Sequence, residues 1–275
     1  MYESYWRLDR NPFDQDPDPQ LFFASETHQA ALLKLRYLIE NRKGLGVLAG
    51  GTGVGKSFLS QVLNAQLEAT QGPFVSLVYP CLQPVELLGY LARSLGISET
   101  PTRNGAPAVD GLIHELQRRL GELLDQGRHP VILIDDAHLI DDPELFQTLR
   151  LLLNFQPQRR TAFSLILLGQ PELLVKLRRI TGLESRVAVR SLLRPLTADE
   201  TARYVQARLA AAGSQQEIFS SRTLQAVFEL SGGLPRRINR LCDMALLVGY
   251  ADDATQISPQ QMTAVAEELE VAHAE

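Results

Sequence analysis

Cysteine is scarce in this 275-residue chain: Cys81 and Cys242 lie far apart and form no C-x-x-C pair, which leaves neither a disulfide framework nor a cysteine-based zinc site. Long apolar runs are missing too. No segment approaches the ~18 to 20 residues of a membrane span, and Met1 to Trp6 lacks the basic-then-apolar pattern of an export signal. Lysine is rare as well, four of 27 basic residues, so arginine is a general preference of this chain and a lone Arg carries little weight. With 45% hydrophobic and 21% charged residues, the composition is that of a folded protein with a substantial core in one or two domains. A reducing cytoplasm fits these absences, with recruitment to the inner membrane only through a partner.

The formal net charge of −5 argues against a chain that is basic all over. Its distribution is uneven. Between Arg159 and Arg194 eight basic residues (Arg159, Arg160, Lys176, Arg178, Arg179, Arg186, Arg190, Arg194) face Glu172 and Glu184, a local balance of +6. From Pro195 onward six arginines face eleven acids. A solvated face accounts for most of these charges; a nucleic-acid contact is the sharper alternative.

Apolar runs at Leu45–Ala49, Phe74–Tyr79, Val131–Ile134, Ser164–Leu168 and Val187–Ser191 alternate with stretches of helical period. That alternation predicts an α/β fold with a mostly parallel sheet. Helices are expected from Ser25 through Asn41, over Phe58 to Leu67, over Pro84 to Leu95, and along the face made by Leu112, Leu116, Leu120 and Leu123. Asp142-Pro143 marks a further start, feeding Leu145, Leu149 and Leu152. Ser98–Ala108, rich in Pro, Thr and Gly, reads as a surface loop.

After Pro195 strands cease and helix signals take over, which sets a boundary between an α/β domain, residues 1–195 with an N-terminal wrapping segment, and a helical lid, residues 196–275. Thr197-Ala-Asp-Glu200 is a capping box and Gly213 a stop; Ser220, Pro235 and Ser258-Pro-Gln-Gln261 open three more helices.

Gly50-Gly-Thr-Gly-Val-Gly-Lys-Ser57 fits G-x-x-x-x-G-K-[ST] between the first strand and a helix, the setting of a phosphate-binding loop. Gly50, Gly51, Thr52, Gly53, Val54, Gly55, Lys56, Ser57 and Phe58 are the expected nucleotide contacts. Glycines let backbone N–H groups turn toward phosphate, the helix N-terminus adds positive potential, and Lys56 reaches the terminal phosphates. The Ser57 hydroxyl is expected to ligate Mg2+.

The strand Val131–Ile134 runs into Asp135-Asp136, a Walker B pattern, with Asp135 predicted to hold the metal and Asp136 to polarise the attacking water. Gln170, after the fourth strand, is a candidate sensor of the γ-phosphate, with an ordinary turn as the alternative. Arg186, before the fifth strand, is a candidate arginine finger toward a neighbouring subunit, and Arg236, opening the third lid helix, a candidate for the same subunit's γ-phosphate. His114-Glu115 lacks the second His of a zinc-protease helix, and no Asn/Thr-Lys-x-Asp supports guanine recognition. His138, after the acidic pair, reads as an ordinary loop residue or a support to them.

With these residues in place, the chain resembles the bacterial AAA+ ATPases typified by general secretion pathway protein A, together with related pilus-biogenesis ATPases. The resemblance rests on Tyr5-Trp-Arg-Leu, Asn11-Pro-Phe13, Pro17-Asp-Pro19, Ser25-x-x-His28, the two nucleotide motifs, and Leu168-Gly-Gln-Pro-Glu-Leu173. It continues through Leu193-x-Pro-Leu196, Glu200-Thr201, Tyr204, Arg208-Leu209, Gly233-Leu-Pro-Arg236-x-Ile-Asn239 and Leu241-Cys242. It implies an ATP- and Mg2+-dependent hydrolase that forms homo-oligomers and serves an envelope secretion or pilus component. One departure stands out: the family usually has Glu where this chain has Asp136, so hydrolysis is expected to be slow or partner-stimulated. Longer family members continue into a membrane segment and a peptidoglycan-binding domain, and a cell-wall role would then come through a partner. A DNA-bound regulator of the transposition type, forming ATP-dependent filaments, is the competing expectation. Adenine contacts are open between the Asn11–Phe13 segment and His28.

Overall fold

A computed structural model of the chain describes residues 1–14, 18–67, 72–98, 102–103, 106–157, 161–180 and 182–271. Two compact units emerge. One comprises Thr27–Gly51 with Leu59–Leu193; the other comprises Met1–Glu26, Thr52–Phe58 and Arg194–Glu275. The chain opens with a short helix, α1 (Glu3–Trp6), before the sheet unit begins.

In the sheet unit α2 (Glu26–Glu40) leads into β1 (Leu45–Gly50), and α3 (Lys56–Gln66) into β2 (Phe74–Leu77). Then follow α4 (Pro84–Ser94), a hairpin of β3 (Thr102–Arg103) and β4 (Ala106–Pro107), and α5 (Val109–Asp125). β5 (Val131–Ile134), α6 (Pro143–Leu152), β6 (Ser164–Gly169), α7 (Glu172–Arg179) and β7 (Val187–Leu193) complete it. The hairpin lies inside the stretch expected to be a plain loop.

Five strands form one parallel sheet in the order β2-β5-β6-β1-β7. The three inner strands are buried along their whole length, which explains why they read as continuous apolar runs rather than alternating ones. Leu45, Val47, Ile132, Ile134, Leu165 and Leu167 share a core with Leu87 and Leu91 of α4, Leu116 and Leu120 of α5, and Leu145 and Leu149 of α6. Each such side chain contributes about 1.5–3 kcal/mol of burial free energy. Local signals set the helix starts. The Asp142 side chain accepts the Glu144 N–H at 2.8 Å with Pro143 in the first turn, and Gln83 and Glu86 form a capping box around α4.

The helical unit holds α8 (Ala198–Ala211), α9 (Ser221–Ser231), α10 (Pro235–Ala251) and α11 (Pro259–Val271). Thr197 and Glu200 make the expected reciprocal cap, with bonds of 3.2 and 3.0 Å. Its core includes Tyr2, Trp6, Leu8 and Phe13 from the chain start. The Trp6 indole donates to the Leu246 carbonyl at 3.0 Å, and the ring of Phe13 meets Phe219 edge-on at 6.4 Å. Arg208, buried inside the unit, donates to the carbonyls of Pro12 at 2.6 Å and Asp14 at 3.1 Å. A charge can be buried there because its protons meet carbonyls held in place. By contacts, then, Met1–Glu26 belong with the C-terminal helices.

Candidate functional site

In the sheet unit the strand register decides which predicted residues gather. Ala49 pairs with Gly169, Ile134 with Leu167, and Leu77 with Ile134, so the C-terminal ends of β1, β5, β6 and β2 form one edge. Gly50 and Gly51 leave β1 at that edge, Asp135 and Asp136 leave β5, and Gln170 leaves β6. Ligands of open α/β sheets bind outside such carboxyl ends. Arg186 is not among them: it precedes β7, whose first residue pairs with Leu45, at the opposite edge. Its guanidinium donates to the Leu153 carbonyl at 3.3 Å and to the Asn154 side chain, both at the end of α6.

Asp135 and Asp136 form a tight turn. The Asp135 N–H bonds to the Leu77 carbonyl at 2.9 Å, which ties the end of β5 to its neighbour β2. A carboxylate oxygen of Asp135 accepts the Asp136 N–H at 2.8 Å. Asp136 itself adopts a left-handed backbone, φ 45° and ψ 34°, which Asp and Asn tolerate better than other side chains. It opens a one-turn 3₁₀ helix, Ala137–Leu139, and leaves its carboxylate half-exposed. His138 Nδ1 lies 3.8 Å from Asp136 Oδ1 and is buried without a hydrogen bond among the described residues.

Behind this turn lies α7. The Lys176 ammonium donates to the carbonyl of His138 at 2.6 Å, to that of Ile140 at 3.1 Å and to the Asp141 carboxylate at 2.6 Å. That contact holds the Asp141 carboxyl below the usual range, chiefly through the hydrogen bond and then through charge. A side chain on Gly169 would begin 3.2 Å from the His138 nitrogen and 3.0 Å from Leu173 Cδ2, so the end of β6 and the turn can approach because no Cβ intervenes.

In the helical unit, Thr52–Phe58 presents the middle of the predicted loop to α10. Gly53 and Gly55 have φ of 78° and 100°, conformations in which successive N–H groups can converge on an anion. Arg236 N–H donates to the Gly53 carbonyl at 3.3 Å, and a Gly53 side chain would begin 3.2 Å from Arg236 Cβ. Lys56 opens α3 and is buried, only 8% exposed. Ser57 follows it in the first turn of that helix.

Three placements were not legible in the sequence. Phe22, in the helical unit, has its ring 6.4 Å from that of Phe58; the aromatic pair Phe22-Phe23 closing a proline-rich stretch was the available signal. In the segment expected as one option for adenine contacts, Asn11 donates to Asp243 at 3.0 Å and Phe13 is buried in the core of the helical unit. His28 is buried in α2. Arg159 and Arg160 lie outside the described residues, as does Pro17.

A parallel sheet with a glycine-rich loop after its first strand, acids after β5 and a polar residue after β6 defines a P-loop nucleotide-binding protein of the AAA+ architecture. The AAA domain family matches residues 39–177, just over half of the chain, and the chain belongs to that family. It is similar to general secretion pathway protein A of Aeromonas hydrophila, with 33% identity over 260 residues, 94% of this chain. The match spans 46% of that relative, so this chain corresponds to about half its length.

Among solved structures, Cdc6p of Pyrobaculum aerophilum superposes with a TM-score of 0.74 at 17% identity, covering 94% of this chain and 70% of that one. The Aeropyrum pernix ORC2 protein, in ADPNP-ADP complexes, gives 0.69 at 17%, with 94% and 72% covered. The Thermotoga maritima RuvB Holliday junction branch migration motor gives 0.62 at 18%, with 94% and 73% covered. At these identities the likeness establishes the fold. Among the described residues no helix is long and apolar enough to cross a membrane, and no group of three or more His, Cys, Asp and Glu could hold a metal alone.

Proposed function

We propose that this chain binds ATP with Mg2+ at Gly50–Ser57 and hydrolyses it to drive assembly of a cell-envelope secretion or pilus machine. The observation that carries this reading is the 33% identity to general secretion pathway protein A across 94% of the chain. In it, Lys56 pairs with the terminal phosphates, and the positive φ of Gly53 and Gly55 suits amides that cradle the others. A hydroxyl at Ser57 and a carboxylate at Asp135 are hard oxygen donors, the type Mg2+ selects, with water and phosphate completing its shell. Bound there, the ion would neutralise charge developing on the phosphates. Asp136 orients and polarises water, Gln170 reads the γ-phosphate from the neighbouring strand end, and Arg236 contacts it from the first turn of α10. Phe22 and Phe58 offer aromatic surface for the base.

In this reading the protein works in the cytoplasm as a homo-oligomer, recruited to the inner membrane by a partner, and Arg186 acts on a neighbour's nucleotide. A second reading, an ATP-dependent filament on DNA, draws on the +6 stretch from Arg159 to Arg194. Three of those eight basic residues have partners within the chain: Lys176 with carbonyls and Asp141, Arg186 with the end of α6, and Arg190 with Glu184 at 3.2 Å. That favours the envelope reading.

The test pairs Lys56→Ala turnover with electron microscopy on a slowly hydrolysed ATP analogue, with and without duplex DNA. Loss of ATP turnover in Lys56→Ala and nucleotide-dependent rings without DNA are expected. Unchanged turnover would remove the ATPase assignment, and filaments that form only on DNA would select the second reading.

A further inference from the structure

The Lys176 ammonium has three protons and meets three acceptors, two of them main-chain carbonyls in the turn after β5. A surface ion pair with Asp141 alone would not need those carbonyls. His138 and Ile140 stand at the C-terminal end of the 3₁₀ helix, where carbonyls lack intrahelical partners and a cation is favoured. The lysine thus caps a one-turn helix too short to hold itself. Asp136 opens that helix in a left-handed conformation, tied by its carbonyl to the Leu139 N–H at 2.8 Å. Such a conformation persists only when its surroundings over-determine it. If the turn opens, Asp136 relaxes toward ordinary backbone angles and its carboxylate moves.

Lys176 also lies on the helix that follows Gln170 after a single proline, and the Leu173 N–H bonds to the Gln170 carbonyl at 2.9 Å. From the other side, Gly169 lets the end of β6 approach the His138 nitrogen. The strand end bearing Gln170 and the turn bearing Asp136 are therefore joined at two places.

We propose that Lys176 is a positioning residue of the hydrolysis site: by clasping the His138 and Ile140 carbonyls it holds Asp136 in place and couples it to the strand end that carries Gln170. This rests on the ATPase reading above. His138, with Nδ1 3.8 Å from the Asp136 carboxylate, is the contact through which the clasp reaches the acid.

The experiment compares full-length wild type with Lys176→Met, which keeps the stem and removes the ammonium, and Lys176→Arg, which keeps the charge but not its compact shape. Hydrogen exchange at Leu139 and Ile140 is expected to rise about tenfold in Lys176→Met, with the rest of the sheet unchanged. ATP turnover should fall about tenfold at unchanged KM, and Lys176→Arg should recover part of both effects. Should Lys176→Met fail to fold, Lys176→Gln carries the same measurements. Unchanged exchange at those two amides overturns the clasp. Raised exchange with wild-type turnover overturns its role in positioning. A wild-type protein that neither binds nor hydrolyses ATP refutes the ATPase reading instead, and the exchange data then decide the clasp alone.

Discussion

Arg236 bonds through its backbone N–H to the Gly53 carbonyl at 3.3 Å, and its Cβ lies 3.2 Å from where a Gly53 side chain would begin. The first turn of α10 thus closes on the loop proposed to hold phosphate. Gly53→Ala places a methyl group into that contact at φ 78°, a conformation that alanine resists. ATP affinity should fall at least about tenfold, measured with a fluorescent analogue. Arg236→Ala removes the guanidinium and leaves the backbone bond; affinity should stay within about threefold while turnover drops by about 10 to 100-fold.

Asp136→Asn keeps the side chain's size and its tolerance of the left-handed backbone but removes the negative charge. Turnover should fall by about 10²-fold or more with ATP binding retained. Retained turnover would assign water activation to another group.

Arg186→Ala tests the neighbour-directed role. Turnover should fall by about 10³-fold, the scale of arginine-finger loss. Mixing the variant with Asp136→Asn subunits should restore part of it, because one of the two kinds of mixed interface combines an intact Arg186 with an intact Asp136. If mixing restores nothing and the melting temperature drops, Arg186 serves only the end of α6, a contribution of about 0.5–1.5 kcal/mol per bond.

His129 provides a test of pH dependence away from the site. Its imidazole is buried, with Nε2 2.9 Å from the Ser164 hydroxyl, and that hydroxyl donates to the Lys43 carbonyl at 2.7 Å. Burial, and then the charge of Arg42, push its pKa down to about 4. Because the folded protein holds this His neutral, its contribution is complete above the ordinary pKa of ~6.5 and is lost as pH falls toward 4. The loss amounts to about 3 kcal/mol at most. Urea unfolding should show stability falling across that window, and His129→Gln should flatten the slope by about one proton.

Much of the fold could be read from local chemistry. Val131–Ile134 was bounded to the residue, and the other parallel strands within two residues, because buried strands announce themselves as apolar runs ended by turn residues. Asp142, Thr197, Pro235 and Ser258 marked helix starts because caps are local. What escaped depends on distant partners. α7 carries Leu173 and Leu177 as its fully buried residues among Lys176, Arg178 and Arg179, too short an apolar face to stand out in sequence. Trp6 meets its acceptor at Leu246, and Lys176 its acceptors at His138 and Ile140, pairings that no spacing rule encodes. Asp136 was singled out for its charge, whereas its left-handed backbone emerged only with the turn.

The place of Met1–Glu26 in the helical unit bears on how this protein can be cut. The AAA family match begins at residue 39, so a fragment started there would keep the whole matched region. It would nonetheless strip Tyr2, Trp6, Leu8 and Phe13 from a core whose other members run from Leu196 to Val265 and leave Arg208 buried without the Pro12 and Asp14 carbonyls. The outline of the homologous domain is therefore not the outline of the helical core, and trimming the chain's beginning is expected to destabilise its far end.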